Sequence, residues 1–141
     1  MTCRRRWLAA PLIALACAGC SLPPVKDAGA PPDQAAIGKG AKEFNDGVKS
    51  YEDGEYQSAA RQFQAALDRG LNAPGDRAKA HKYLAFISCV SDGERPCRDE
   101  FRKAFDADSG FDLAPAEAGH PIWGPVFRSV KSEVAGKPKS K

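Results

Sequence analysis

Between Glu43 and Leu67 the apolar positions fall into two short helical periods with a break between them. Phe44, Val48 and Tyr51 recur at i, i+4 and i+7 and stack on one side of a helix. Ala59, Phe63, Ala66 and Leu67 follow the i, i+4, i+7, i+8 rule of a stripe that faces a core. Asp53-Gly54 separates the two periods, and glycine supplies the backbone freedom that a tight helix–helix turn needs. The pattern predicts two amphipathic helices folded back on each other.

The rest of the chain extends this scheme. A first helix is predicted from Asp33, an N-cap candidate after Pro31-Pro32, to about Asp53. A second runs from Glu55 to Arg69, with Gly70 as its C-cap, and Gly70 to Gly75 reads as a loop. A third starts near Asp76. Its centre, Tyr83 to Val90, is polar only at Ser88, a run that alone would also suit a buried strand. The preceding DRAKAHK holds helix formers and no turn signal, so one continuous helix is expected. A helix apolar nearly all round must be covered on several sides, as the middle of a stack is. A fourth helix is predicted from Pro96 to Ala107. Its Cys97, Phe101, Ala104 and Phe105 repeat the spacing of Ala59, Phe63, Ala66 and Leu67 at an offset of 38. Ser109-Gly110 ends it, and Phe111-Asp112-Leu113 reads as extended. Prolines 115, 121 and 125 break the next stretch. A last helix from Pro125 carries Val126, Phe127, Val130 and Val134 and, with Trp123, would cap the array.

Gly47, Gly54, Tyr56, Ala59, Phe63, Ala66 and Leu67 also stand at the spacing of a tetratricopeptide (TPR) helix pair, and the stretch resembles that repeat. Small residues in such a pair let the helices approach, and larger ones fill the gap. Two departures stand out: no Trp opens the first helix, and Asp46 stands where Leu-Gly would begin. The offset of 38 exceeds the ~34 residues usual for the repeat, and the loop around Asn72 can absorb the difference. The fold class expected is all-α: a short TPR-like solenoid of two helix pairs and a C-terminal capping helix.

Residues 1–19 have the three parts of an export signal: Arg4-Arg5-Arg6, an apolar run from Trp7 to Ala18, then small residues. The run falls short of the ~20 residues that a membrane span takes. Cys17-Ala18-Gly19-Cys20 resembles the lipobox of bacterial lipoproteins, with Cys17 where Leu is usual. The resemblance implies lipid modification at Cys20. Ser21 follows, rather than the Asp that marks inner-membrane retention, so the implied address is the periplasmic face of the outer membrane. Residues 20–36, with Pro23, Pro24, Pro31 and Pro32, read as an extended tether too poor in apolar residues to form a core. The helical domain is expected over 37–135 and a basic disordered tail over 136–141.

The formal charge of +3 does not signal a nucleic-acid partner. Setting Arg4, Arg5 and Arg6 aside leaves 18 basic against 18 acidic residues. No basic face remains for a phosphate backbone.

Cys89 and Cys97 flank the turn VSDGERP, where two helices converge. An oxidising periplasm and this spacing point to a disulfide worth ~2–3 kcal/mol. Two buried free thiols at alanine-like positions are the alternative. His81 and His120 have no second His or carboxylate at ligand spacing, so neither a metal nor another cofactor is expected. No paired carboxylates or activated nucleophile stand out, and the chain reads as a non-enzyme without a small-molecule substrate.

KYLAFISCVSDGERPCRDEFRKAF, followed by FDLAPAEAGHPIWGPVFRSVK, resembles the TPR lipoproteins associated with type VI secretion clusters, sometimes called TssQ-like. Its distinctive pieces are the Cys89/Cys97 pair, Arg98 to Phe105, and Ala116 to Pro125. The resemblance implies an accessory that helps assemble or stabilise the envelope part of the secretion machine, with envelope proteins as partners. A TPR groove would be lined by Phe44, Val48, Tyr51, Lys82 and Phe86, from the first helix of each pair. For each of these, burial in the core is the competing role. Other readings are a pilotin-like or outer-membrane assembly lipoprotein for another machine, or a cell-wall-binding module without catalysis.

Overall fold

The computed structural model describes residues 38–136, which contain α-helices and no strand. The expectations for the export signal, Cys20, the tether and residues 137–141 lie outside the described residues. The elements are α1 (Ala41–Glu52), α2 (Tyr56–Arg69), α3 (Pro74–Ser91), α4 (Glu94–Ala107), a one-turn α5 (Pro115–Ala118) and α6 (Trp123–Gly136). α1 and α2 form one antiparallel hairpin and α3 and α4 a second. α2 packs on α3, and α6 covers α4. The fold is an all-α, solenoid-like stack closed at its C-terminal end.

Local chemistry explains the boundaries. Gly54 takes φ +79° in the turn between α1 and α2, a value other residues rarely adopt. Pro74 occupies the first turn of α3, where its missing N–H is no loss. Tyr83–Val90 continues this helix without a break. One expectation is corrected. The first helix begins at Ala41, because Gly38–Gly40 forms a turn in which the Gly40 N–H donates to the Gly70 carbonyl at 3.0 Å. That bond closes the open end of the first hairpin. Asp33, the expected N-cap, lies outside the described residues. Smaller corrections follow from helix starts: α3 begins two residues before Asp76, α4 two before Pro96 and α6 two before Pro125. The proline-broken stretch also holds the extra turn α5, whose Ala114 N–H donates to the Glu117 carboxylate at 3.1 Å.

The echo at 38 residues is a structural repeat. Ala59, Phe63 and Ala66 are fully buried in the first hairpin, as are Cys97, Phe101 and Ala104 in the second. Gly47 explains how α1 gets close enough to cover Phe63. A Cβ at Gly47 would stand 2.9 Å from the Phe63 ring, inside contact distance. Tyr83 stacks on that ring at 4.8 Å and 1°, which limits how far it can yield.

The core has two lobes, and α3 serves both. Ala80, Leu84 and Ile87 face the first hairpin. Ala85 and Phe86 face α4 and α6, together with Phe101, Phe105, Phe127 and Val130. This is the physical meaning of a helix apolar on nearly every side. Tyr51 and Tyr83 touch both lobes and form the seam between them. Each phenylalanine buried in this way contributes ~1.5–3 kcal/mol from the removal of apolar surface from water. Lys131 pairs with Asp112 at 2.6 Å and Arg102 with Glu133 at 3.0 Å, which ties α6 to its neighbours. Cys89 and Cys97 are bonded, with Cα atoms 4.8 Å apart, and cross-link α3 to α4.

Candidate functional site

At the end of the stack where both hairpins turn, three elements leave a cleft of ≈ 240 Å³. The first hairpin contributes Tyr51 from the last turn of α1 and Tyr56 from the first turn of α2. The tight turn at Gly54 brings their rings to 5.4 Å. The C-terminal half of α3 contributes Phe86, Ile87 and Val90. The segment before α6 folds back to supply His120, Ile122 and Trp123.

Exposure singles out this cleft. Tyr56, Val90 and Ile122 are the large apolar side chains left open to water among the described residues, at 46%, 49% and 48%. They come from three different elements, and all three line this cleft. Isolated exposed apolar residues need no explanation, but convergence on one concavity marks a surface suited to docking.

The walls are rigid. Phe86 stacks on Trp123 at 4.3 Å, and His120 stacks on the same indole at 3.3 Å and 3°. Two rings cannot share one face at those distances, so Trp123 is held between them. Its Nε1–H donates to the Glu117 carbonyl at 2.9 Å. His120 Nδ1 accepts the Ile122 N–H at 3.2 Å, which fixes the bend. Lys82 reaches from α3 to the Glu117 carboxylate at 2.6 Å and lies 4.7 Å from the Tyr83 ring centre. Glu117 thereby pins the returning segment to α3.

The phenols of Tyr51 and Tyr83 stay protonated at neutral pH. Burial pushes Tyr51 and Tyr83 above the usual phenol range, and neighbouring groups add to this, Glu117 among them for both. The cleft offers aromatic faces, methyl groups and phenol hydroxyls. Among the described residues no group of three or more His, Cys, Asp or Glu side chains could hold a metal.

The residues expected to form a groove are distributed as follows. Tyr51 and Phe86 line the cleft, Phe86 from a position only 3% exposed, so its ring is chiefly core. Lys82 is engaged by Glu117. Phe44 and Val48 pack against the first core lobe, Phe44 with its ring 5.8 Å from Phe63. Tyr56, Val90, His120 and Ile122 are cleft residues that periodicity did not single out. Tyr56 carried a signal, as a large aromatic just after Asp53-Gly54. His120 and Ile122 lie in the distinctive Ala116–Pro125 string, but no period marks them, because their position depends on an aperiodic segment folding back.

The histidine expectation is corrected in one respect. His81 Nδ1 lies 2.7 Å from Glu100 on α4, a partner 19 residues away in sequence. Burial pushes the Glu100 carboxyl up, but hydrogen bonds from His81 and Lys103 outweigh it and hold the group below its usual 4.5. A second concavity, ≈ 370 Å³, is lined by Glu94, Arg95, Arg98 and Arg102. Two of its three arginines are paired: Arg98 with Glu94 and Glu133, and Arg102 with Asp99 and Glu133. It is a weaker candidate for a ligand. No helix among the described residues is long and apolar enough to cross a membrane. No family model, curated protein or solved structure matches the chain.

Proposed function

We propose that the chain is a lipid-anchored interaction module, held at the periplasmic face of the outer membrane through Cys20. Its helical stack docks on an envelope component of a type VI secretion machine as an assembly accessory. The observation that carries the docking role is the convergence of Tyr56, Val90 and Ile122 on one cleft with rigid aromatic walls. The resemblance of residues 82–131 to type VI-associated lipoproteins supplies the machine, and Cys17-Ala18-Gly19-Cys20 supplies the anchor. No catalytic residue is assigned. The role consists of binding, and it uses shape and apolar surface.

The test is mild crosslinking in the native envelope, followed by purification of the lipidated chain and identification of its partners by mass spectrometry. Membrane-complex or baseplate components of a type VI machine are the expected result. A secretin or a barrel-assembly component would overturn the assigned machine. Labelling with a radioactive fatty acid should be lost in Cys20→Ser. Retained label would overturn the anchor.

A further inference from the structure

The cleft is a preformed apolar surface, and part of the chain is placed to reach it. Its accessible aromatic surface is that of Tyr51 and Tyr56, with the Trp123 stack behind and Ile122 and Val90 at the edge. Closely spaced tyrosines backed by tryptophan form the kind of surface on which proline rings pack. A proline-rich segment is already extended, so it loses little entropy on docking.

The chain carries such a segment next to the domain. Pro23-Pro24 and Pro31-Pro32 precede Gly38, the first described residue. Gly38 lies at the start of the first hairpin, and the cleft lies at its turn. The ten residues from Ala41 to Tyr51 span ~15 Å at the helical rise. Six extended residues from Gly38 back to Pro32 cover ~19 Å at ~3.1 Å each, and fourteen residues back to Pro24 cover ~43 Å. Pro23-Pro24 is well within reach of the turn, and Pro31-Pro32 lies on the way to it.

Charge agrees with this choice. Glu52 and Glu55 flank the tyrosines and form no ion pair among the described residues. Lys26 follows Pro23-Pro24-Val25 directly. A proline pair on the tyrosines brings a lysine near the carboxylates that adjoin them in sequence, Glu52 and Glu55.

We infer that, in the partner-free protein, the cleft formed by Tyr51, Tyr56, Val90 and Ile122 is filled by the chain's own proline-rich segment between Pro23 and Pro32. This rests on the reading of the cleft as a docking surface. Docking shortens the tether and holds the domain close to its anchor point, and a partner that takes the cleft releases the full reach.

The experiment uses the full chain with a photo-crosslinking benzoylphenylalanine in place of Tyr56, irradiated after purification and mapped by mass spectrometry. The expected product is an intramolecular link from position 56 to the segment 21–32. It should fall at least fivefold in a chain carrying Pro23→Ala, Pro24→Ala, Pro31→Ala and Pro32→Ala, with the helical circular dichroism unchanged. An undiminished link in the alanine chain would mean that tethering alone brings the segment near, and would overturn the inference. Links only to a second copy would also overturn it. The same probe irradiated in the envelope separates the two readings. Links to a secretion component, with none to the segment in the purified chain, would sink the inference and leave the docking role. A proline-dependent link with no protein partner would do the reverse.

Discussion

The two hairpins share a plan and are secured differently. Moving both members of a contact by 38 positions maps Gly47 and Phe63 onto Ala85 and Phe101, and Tyr51 and Ala59 onto Cys89 and Cys97. The second hairpin is bonded covalently where the first places a tyrosine. It is also covered by α6 on its far side, whereas the first has no such cap among the described residues. The first is held by shape: glycine against phenylalanine, with Tyr83 stacked on that ring. A repeat unit can thus keep its buried stripe while the position beside the turn changes from a staple to a cleft wall. The cleft lies at the seam between the hairpins, where Tyr51 lines it.

The largest expected effects test whether the buried stripe carries equal weight in both hairpins. Phe63→Ala and Phe101→Ala should each destabilise by ~3–5 kcal/mol, since both rings are fully buried. Denaturant unfolding checks this, and a loss under 1 kcal/mol at either site would break the equivalence. Next comes the staple. Cys89→Ser with Cys97→Ser should cost ~2–3 kcal/mol, and reductant should lower the melting temperature of the parent but not of the double variant. An unchanged parent melting curve in reductant would remove the covalent half of the comparison.

A pair of smaller changes sharpens the shape argument. Gly47→Ala gains ~1 kcal/mol of helix propensity but drives a methyl group into the Phe63 ring. Overpacking of ~1–3 kcal/mol should win because Tyr83 limits how far the ring can yield. Ala85→Gly should also destabilise, by ~1 kcal/mol, through lost propensity. A Gly47→Ala protein more stable than its parent would show that the close approach is not needed. The smallest effect is electrostatic. Glu100 has a lowered pKa when folded, so its contribution is complete above the usual 4.5 and is lost as pH falls through the folded value. Glu100→Gln should flatten the acid side of the stability–pH curve below about pH 4.5, and an unchanged curve would remove this contribution.

Much of this architecture was legible from apolar spacing. The stripes of α2 and α4 were visible because helical periodicity depends on burial along one face. The continuity of α3 was visible because no turn residue interrupts it. The start of α1 was not, because Gly38–Gly40 is held out of the helix by a bond to Gly70, a partner 30 residues away. The cleft was legible only in part. Tyr51 is periodic and Phe86 lies on a predicted helix, but the sharp bend at His120 that brings up Ile122 and Trp123 follows no period. Lys82 reads as a solvated groove residue, and it meets Glu117 only because that segment folds back.

The central claim is that the seam cleft docks an envelope partner. Tyr56→Ser with Ile122→Ser removes two of its three exposed apolar side chains without touching the buried stripe. Crosslinked recovery of type VI components from the native envelope should fall at least tenfold in this variant, with melting within a few degrees of the parent. Undiminished recovery by a folded variant would contradict the account and place the docking surface elsewhere on the stack.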